Sequence, residues 1–319
     1  MLNAKITGLR SVELAVPDLN RSVEFYQQVW GLEEVVSEGD AVHLRGTGAE
    51  HHVLTLRERP KAALIAVHFS ASDRTAVTAL HGKTKAFGTE GLTEPAELPR
   101  VAGGGFGFRF LTPEGLPIAI SADVVQHPDV VTDRARPTKL THVVLNGAKV
   151  DDQTAFFRDV LGFRQADSTD MMEFIRCCSD HHSVAFARAN GPSLNHMAYE
   201  MDSFDGLMRG AGRMKQNGFN IEWGVGRHGP GNNIFSYFIE PNGFVTEYTT
   251  EVEQVDEATY LPHSAEYWRN MPGRPCRWNM AGHPSNRLKS AMGGDIWPDK
   301  LNADANQRCE EVMAKALHG

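Results

Sequence analysis

At 319 residues the chain exceeds what one hydrophobic core usually serves, which predicts two domains or two copies of a smaller module. Its 41% hydrophobic and 23% charged residues, with 16 prolines, fall in the globular range and give no support to a fibrous or disordered chain. A formal charge of -8 argues against a nucleic-acid partner, which would need clustered Lys and Arg, and leaves small molecules as the better ligand class.

In chain order, the amino terminus MLNAKITGLRSVEL lacks the apolar run of a secretory signal, and no later segment approaches the ~18 apolar residues that span a bilayer. A cytoplasmic protein with no membrane contact is expected. LRSVELAVPDLNRSVEFYQQVWGL (9–32) then reads as a strand, a polar turn and a helix, with Leu19, Val23 and Tyr26 spaced i, i+4, i+7 and Gly31 ending it. The same pattern returns without gaps as LTHVVLNGAKVDDQTAFFRDVLGF (140–163), at an offset of 131. Later in each copy a strand turns at Pro-x-Gly and restarts, FRFLTPEGLPIAIS (108–121) in the first and YFIEPNGFVTEYTT (237–250) in the second. The glycines Gly103, Gly104 and Gly105 between strands of the first copy read as a turn or bulge, and no spacing for a dinucleotide or phosphate loop is present.

The repeat predicts an α+β protein of two tandem modules, residues 1–126 and 138–251, joined by a polar linker and followed by a tail, 252–319. Two such units packing their sheets enclose a concave, largely apolar cleft suited to a small ligand. In the tail only ANQRCEEVMAKALHG looks helical, and packing or subunit contact is its expected role. The four cysteines, with Cys177 and Cys178 adjacent and no CxxC spacing, are expected to stay reduced.

One scaffold used twice lets the two copies be compared. His142 in LTHVVL corresponds to Ser11, and by the Pro-x-Gly match Glu247 corresponds to Ala119. His196 in SLNHMAYEM has no clear histidine counterpart. A single histidine in an apolar run is ordinarily a satisfied core group, and a single glutamate on a strand ordinarily faces solvent. Together, two imidazoles and one carboxylate on separate strands can occupy one face of an octahedral metal and leave the other positions open, the ligand set of non-haem Fe(II) oxygenases.

Residues 5 to 250 resemble the type I extradiol dioxygenases of the vicinal oxygen chelate superfamily. GRHGPGNNIFSYFIEPNGFVTE (226–247) is similar to the closing signature of that family, with His228, Tyr237, Glu240, Pro241, Gly243 and Glu247 in place, and departs from it at Ser236, where an apolar residue is usual. The resemblance implies two tandem βαβββ modules forming a barrel-like cleft, with the metal ligands His142, His196 and Glu247 in the second. It further implies Fe(II), with Mn(II) also compatible, His182 as acid and base, and His228 and Tyr237 as hydrogen-bonding groups around it. Of the neighbours His181 and His182, strand alternation lets one face inward, and His182 matches the family position. Trp223 hints at an apolar pocket wall.

On this reading an aromatic diol chelates the metal beside O2, His182 donates and relays a proton, and the ring opens outside the diol to a semialdehyde or keto acid. A homo-oligomer follows from the resemblance alone. Two rivals share the scaffold: a glyoxalase-like isomerase or thiol transferase, and a non-catalytic binder of aromatic ligands.

Overall fold

A computed structural model describes residues 5–127, 133–273 and 276–294. The segment 305–319, read from sequence as helical, lies outside the described residues, as does Cys309. The first module contains β1 (Ile6–Val16), α1 (Leu19–Glu24), β2 (Glu33–Glu38), β3 (Ala41–Arg45), β4 (Leu54–Glu58), β5 (Ala63–Ala71), α2 (Arg74–Phe87), β6 (Ala96–Glu97), β7 (Phe106–Leu111) and β8 (Pro117–Ala122). The second contains β9 (Pro137–Gly147), α3 (Val150–Asp159), β10 (Arg164–Ser168), β11 (Met172–Arg176), β12 (Val184–Arg188), β13 (Ser193–Met201), α4 (Phe204–Gln216), β14 (Trp223–Arg227), β15 (Ile234–Ile239) and β16 (Val245–Thr250). Two short helices follow in the tail, α5 (Ala265–Asn270) and α6 (Asn286–Met292). Among the described residues no helix is long and apolar enough to cross a membrane.

Each module runs βαβββ twice and forms one eight-stranded sheet, ordered β2-β3-β4-β1-β5-β8-β7-β6 in the first and β10-β11-β12-β9-β13-β16-β15-β14 in the second. The strand that opens each pass pairs in parallel with the strand that closes it, and the two opening strands meet antiparallel at the sheet centre. The helices start where side chains cap them: Asp73 accepts from the Ala76 amide at 2.8 Å, and Ser203 from the Gly206 amide at 3.1 Å.

The helix expected after β1 is α-helical only to Glu24. It widens into a π-helix over Phe25–Trp30, where Phe25, Tyr26, Val29 and Trp30 are all buried. Tertiary burial outweighs local hydrogen-bond geometry here. Gly31 (φ 96°) ends the π-helix, and a Cβ there would lie 2.6 Å from Nη2 of Arg213, which donates to the Trp30 carbonyl at 2.8 Å.

The π-helix carries Trp30 across to the second sheet. Its indole stacks on Tyr248, with centroids 3.8 Å apart, and meets Tyr199 and Phe238 edge-on. In return Phe156 and Phe157 of α3 pack against Phe110 and Phe69 of the first sheet. One continuous apolar core therefore spans both modules, and it holds the second sheet's centre rigid where the candidate ligands sit.

Candidate metal centre and active site

Three adjacent strands, β9, β13 and β16, bring the ligand candidates together. His142 and Glu247 both stand opposite Ala198, one from each side, and His196 lies two residues before Ala198 on the same strand. Directly paired residues, and residues two apart on a strand, share a face. The methyl group of Ala198 leaves the space between them open. One ligand atom from each of His142, His196 and Glu247 fits within 4.8 Å of the others, and all three residues are buried.

Glu247 Oε2 lies 3.3 Å from Nε2 of His142 and 3.3 Å from Nε2 of His196. His142 Nδ1, His196 Nε2 and Glu247 Oε2 have no hydrogen-bond partner. Buried polar atoms are ordinarily paired, and the unpaired His196 Nε2 facing the unpaired Glu247 Oε2, with Nε2 of His142 equally close to that oxygen, marks the place of a cation. Burial pushes Glu247 up, but the two imidazoles close beside it outweigh this and hold its carboxyl well below the usual range. Burial also lowers His196, leaving a neutral ring with a lone pair to offer. The residues fit a divalent ion with mixed nitrogen and oxygen preference.

His182, His228 and Tyr237 surround this triad. The His182 ring packs 4.2 Å from that of His142, and His228 Nε2 lies 3.0 Å from the Tyr237 hydroxyl and 3.9 Å from Glu247 Oε1. Burial drives His182 well below the ordinary imidazole range and His228 down to about 4, so both are neutral at pH 7. Burial, and then Glu247, raise Tyr237, which keeps its proton to donate.

A family model described as Glyoxalase/Bleomycin resistance protein/Dioxygenase superfamily matches residues 8–120 and 139–248. The chain belongs to this superfamily. The solved Mn(II)-bound glyoxalase from Novosphingobium aromaticivorans is 40% identical, with a TM-score of 0.82 over 89% of this chain and 94% of that one. Manganese-dependent 2,3-dihydroxybiphenyl 1,2-dioxygenase of Geobacillus genomosp. 3 is 26% identical over 265 residues, 75% of this chain and 83% of its own. Metapyrocatechase 2 of Cupriavidus necator matches at 33% identity over 132 residues, which is 40% of this chain and 41% of that one.

Superfamily membership places both modules on one scaffold, and their registers can be compared directly. Where the second module has His142, Ala198 and Glu247 in a row, the first has Ser11, His68 and Ala119, and Ala66 replaces His196. Glu13 occupies that region instead, its Oε1 accepting from Arg57 at 2.9 Å and its Oε2 from Arg109 at 2.8 Å. These groups line a cavity of about 470 Å³. An ion-pair cluster thus stands where the second module carries its triad.

The expectation that alternation would turn only one of His181 and His182 inward does not apply, because both lie in the turn before β12 rather than in a strand. Both are buried, with rings nearly perpendicular at 86°. His182 faces His142, while His181 turns the other way toward Asp167. Trp223 is part of a cluster between the sheet and the tail. It stacks on Tyr237 and donates from Nε1 to the Gly282 carbonyl at 3.1 Å. Cys177 and Cys276 are buried and Cys178 is half-buried, each without a disulfide partner among the described residues.

Sequence reasoning missed the groups that orient the ligands. Asn195 Oδ1 accepts from His196 Nδ1 at 2.8 Å, leaving Nε2 bare for a metal. Asn195 in turn donates to Asn146 Oδ1 at 2.9 Å, and Asn146 donates to the Met292 carbonyl of the tail at 2.6 Å. On the other side Asn233 donates to Glu247 Oε1 at 3.3 Å. Asn195→Ala is expected to weaken metal binding by about 10–100-fold with the fold retained, as measured by competition with a metal-sensing dye. An unchanged affinity would remove Asn195 from this role.

Proposed function

We propose that the chain is an extradiol dioxygenase that opens a catechol-type ring with O2, with the second module as its catalytic unit. His142, His196 and Glu247 hold Fe(II), or Mn(II), and His182, His228 and Tyr237 handle protons and orient the substrate. The observation that carries this reading is the pairing of a buried His-His-Glu set with three further donors and acceptors, His182, His228 and Tyr237, beyond what metal binding requires. The relative named as a manganese-dependent 2,3-dihydroxybiphenyl 1,2-dioxygenase adds support.

When bound, the ion supplies Lewis acidity toward two vicinal oxygens and an electron path to O2. The chain supplies the rest. His182, neutral through burial, takes a proton from a substrate hydroxyl and returns it as the ring opens. Tyr237 donates from its hydroxyl to oxygen atoms that gain charge, and His228, 3.0 Å away, fixes that hydroxyl's direction. Burial of the whole set excludes water, which strengthens each of these contacts. The product is a ring-opened semialdehyde or keto acid. The exposed Leu261, Trp278 and Met280 of the tail support a homo-oligomer.

The name of the 40% identical solved structure supports a second reading, isomerisation of a thiol–aldehyde adduct, which consumes no O2. The deciding experiment loads the protein anaerobically with Fe(II) or Mn(II) and follows O2 uptake with ultraviolet-visible spectra. Catechol, methylcatechols, 2,3-dihydroxybiphenyl and hydroxyquinol are compared with methylglyoxal plus glutathione. Stoichiometric uptake with a new visible product supports ring cleavage. Thiol-adduct turnover without uptake favours the isomerase.

A further inference from the structure

Asp167 and His181 stand in line behind His182. Asp167 is 1% exposed, and its two oxygens take four donors. Oδ2 accepts from His181 Nε2 at 3.0 Å and Trp268 Nε1 at 3.1 Å, and Oδ1 accepts from the His263 amide at 2.7 Å and the Tyr260 hydroxyl at 3.1 Å. An indole N–H and a backbone N–H can only donate, and one of them points at each oxygen. Asp167 therefore acts as an acceptor-only carboxylate, and Nε2 of His181 carries a proton. The other His181 nitrogen, Nδ1, lies 3.0 Å from Nδ1 of His182. In a neutral His181 it holds a lone pair, so the proton in that contact sits on His182, and His182 Nε2 is left bare.

We infer that Asp167 and His181 are positioning residues that hold His182 as its Nδ1–H tautomer, with Nε2 free to accept a proton from a substrate hydroxyl. The inference rests on the proposed acid-base role of His182. Once Nε2 is protonated, Nδ1–H still donates to His181, whose own Nε2–H still faces the carboxylate. The positive charge is met across two rings without any rearrangement of the chain.

The first module provides an internal control. There His51 Nδ1 lies 2.9 Å from His52 Nδ1, so the histidine pair comes with the fold. The carboxylate does not. Val36, paired with His43, takes the place that Asp167, paired with Phe174, has in the second module, and His51 stacks instead on His127. Among the described residues the Asp-His-His line occurs only beside the His-His-Glu triad. Three of the four donors to Asp167 come from the tail, which gives Tyr260, His263 and Trp268 a function that no sequence motif announces.

The test begins with metal-free, 15N-labelled full-length protein. Long-range 1H–15N spectra read the tautomer of each histidine, and His182→Phe identifies the His182 signals. The expected result is Nδ1–H on His182 in the wild type and loss of that preference in Asp167→Asn and His181→Phe. An Nε2–H tautomer in the wild type overturns the inference. In metal-loaded protein both variants are expected to lower kcat at least about tenfold with KM within about threefold, and Asp167→Asn is expected to add nothing in a His182→Phe background. Additive losses, or an unchanged kcat, overturn it. His181→Phe preserves ring volume and answers the question where Asp167→Asn does not fold. A wild type that binds metal but takes up no O2 refutes ring cleavage separately, because the tautomer spectra need no turnover.

Discussion

Glu247→Gln is expected to fold as well as the wild type and to bind no metal. Glu247 Oε2 sits 3.3 Å from Nε2 of both His142 and His196, so an amide nitrogen at that position can donate one hydrogen to each imidazole lone pair. The amide oxygen can keep the contact that Oε1 has with Asn233 at 3.3 Å. The partners of both carboxylate oxygens, His142, His196 and Asn233, are then answered, and only the negative charge that a divalent ion needs is gone. The wild type should gain about 2.7 kcal/mol of stability at a metal concentration a hundredfold above Kd, seen as a rise in Tm, and the variant should gain none. Ring cleavage should fall at least about a thousandfold, beyond the ~10–100-fold typical of outer-sphere changes. A metal-induced shift in Tm equal to that of the wild type would remove Glu247 from the ligand set.

His182→Phe is expected to lower kcat by about 10²–10⁴ while metal content and substrate binding stay near wild type. The phenyl ring preserves the volume that packs 4.2 Å from His142 and 5.2 Å from Phe174, so the triad keeps its shape. What is lost is the imidazole that meets both His142 of the triad and His181. Steady-state O2 uptake gives kcat and KM, and the visible band of bound 4-nitrocatechol gives substrate affinity. A raised KM with kcat unchanged would reduce His182 to a binding contact.

The residues of the candidate site were legible, and their arrangement was only partly so. The repeat at an offset of 131 exposed His142 against Ser11, the Pro-x-Gly match exposed Glu247 against Ala119, and the strand registers on both sides of β5 and β13 place those pairs at equivalent points. Strand periodicity could not show that Ala198 lies between His142 and Glu247, because that depends on which strands pair and in what register. The alternation argument for His181 and His182 failed because the pair lies in a turn, where both rings find buried partners. The scattered Trp, His and Tyr of the tail gave no periodic signal, yet Tyr260, His263 and Trp268 converge on Asp167.

From the sequence alone came the duplication, the α+β character, the separation of a ligand-bearing module from one without the triad, and the names of six candidate site residues. These are properties of residue type and spacing, which local chemistry and a repeated pattern reveal directly. Only the tertiary structure decided that the two modules share one core through Trp30, Phe156 and Phe157, that Asn195 and Asn233 hydrogen-bond the candidate ligands His196 and Glu247, and that Asp167 stands behind His181. Apart from the neighbours Asn195 and His196, those contacts join residues more than ten and up to about two hundred positions apart, and a hydrogen bond depends on distance and direction in space, which spacing along the chain does not determine.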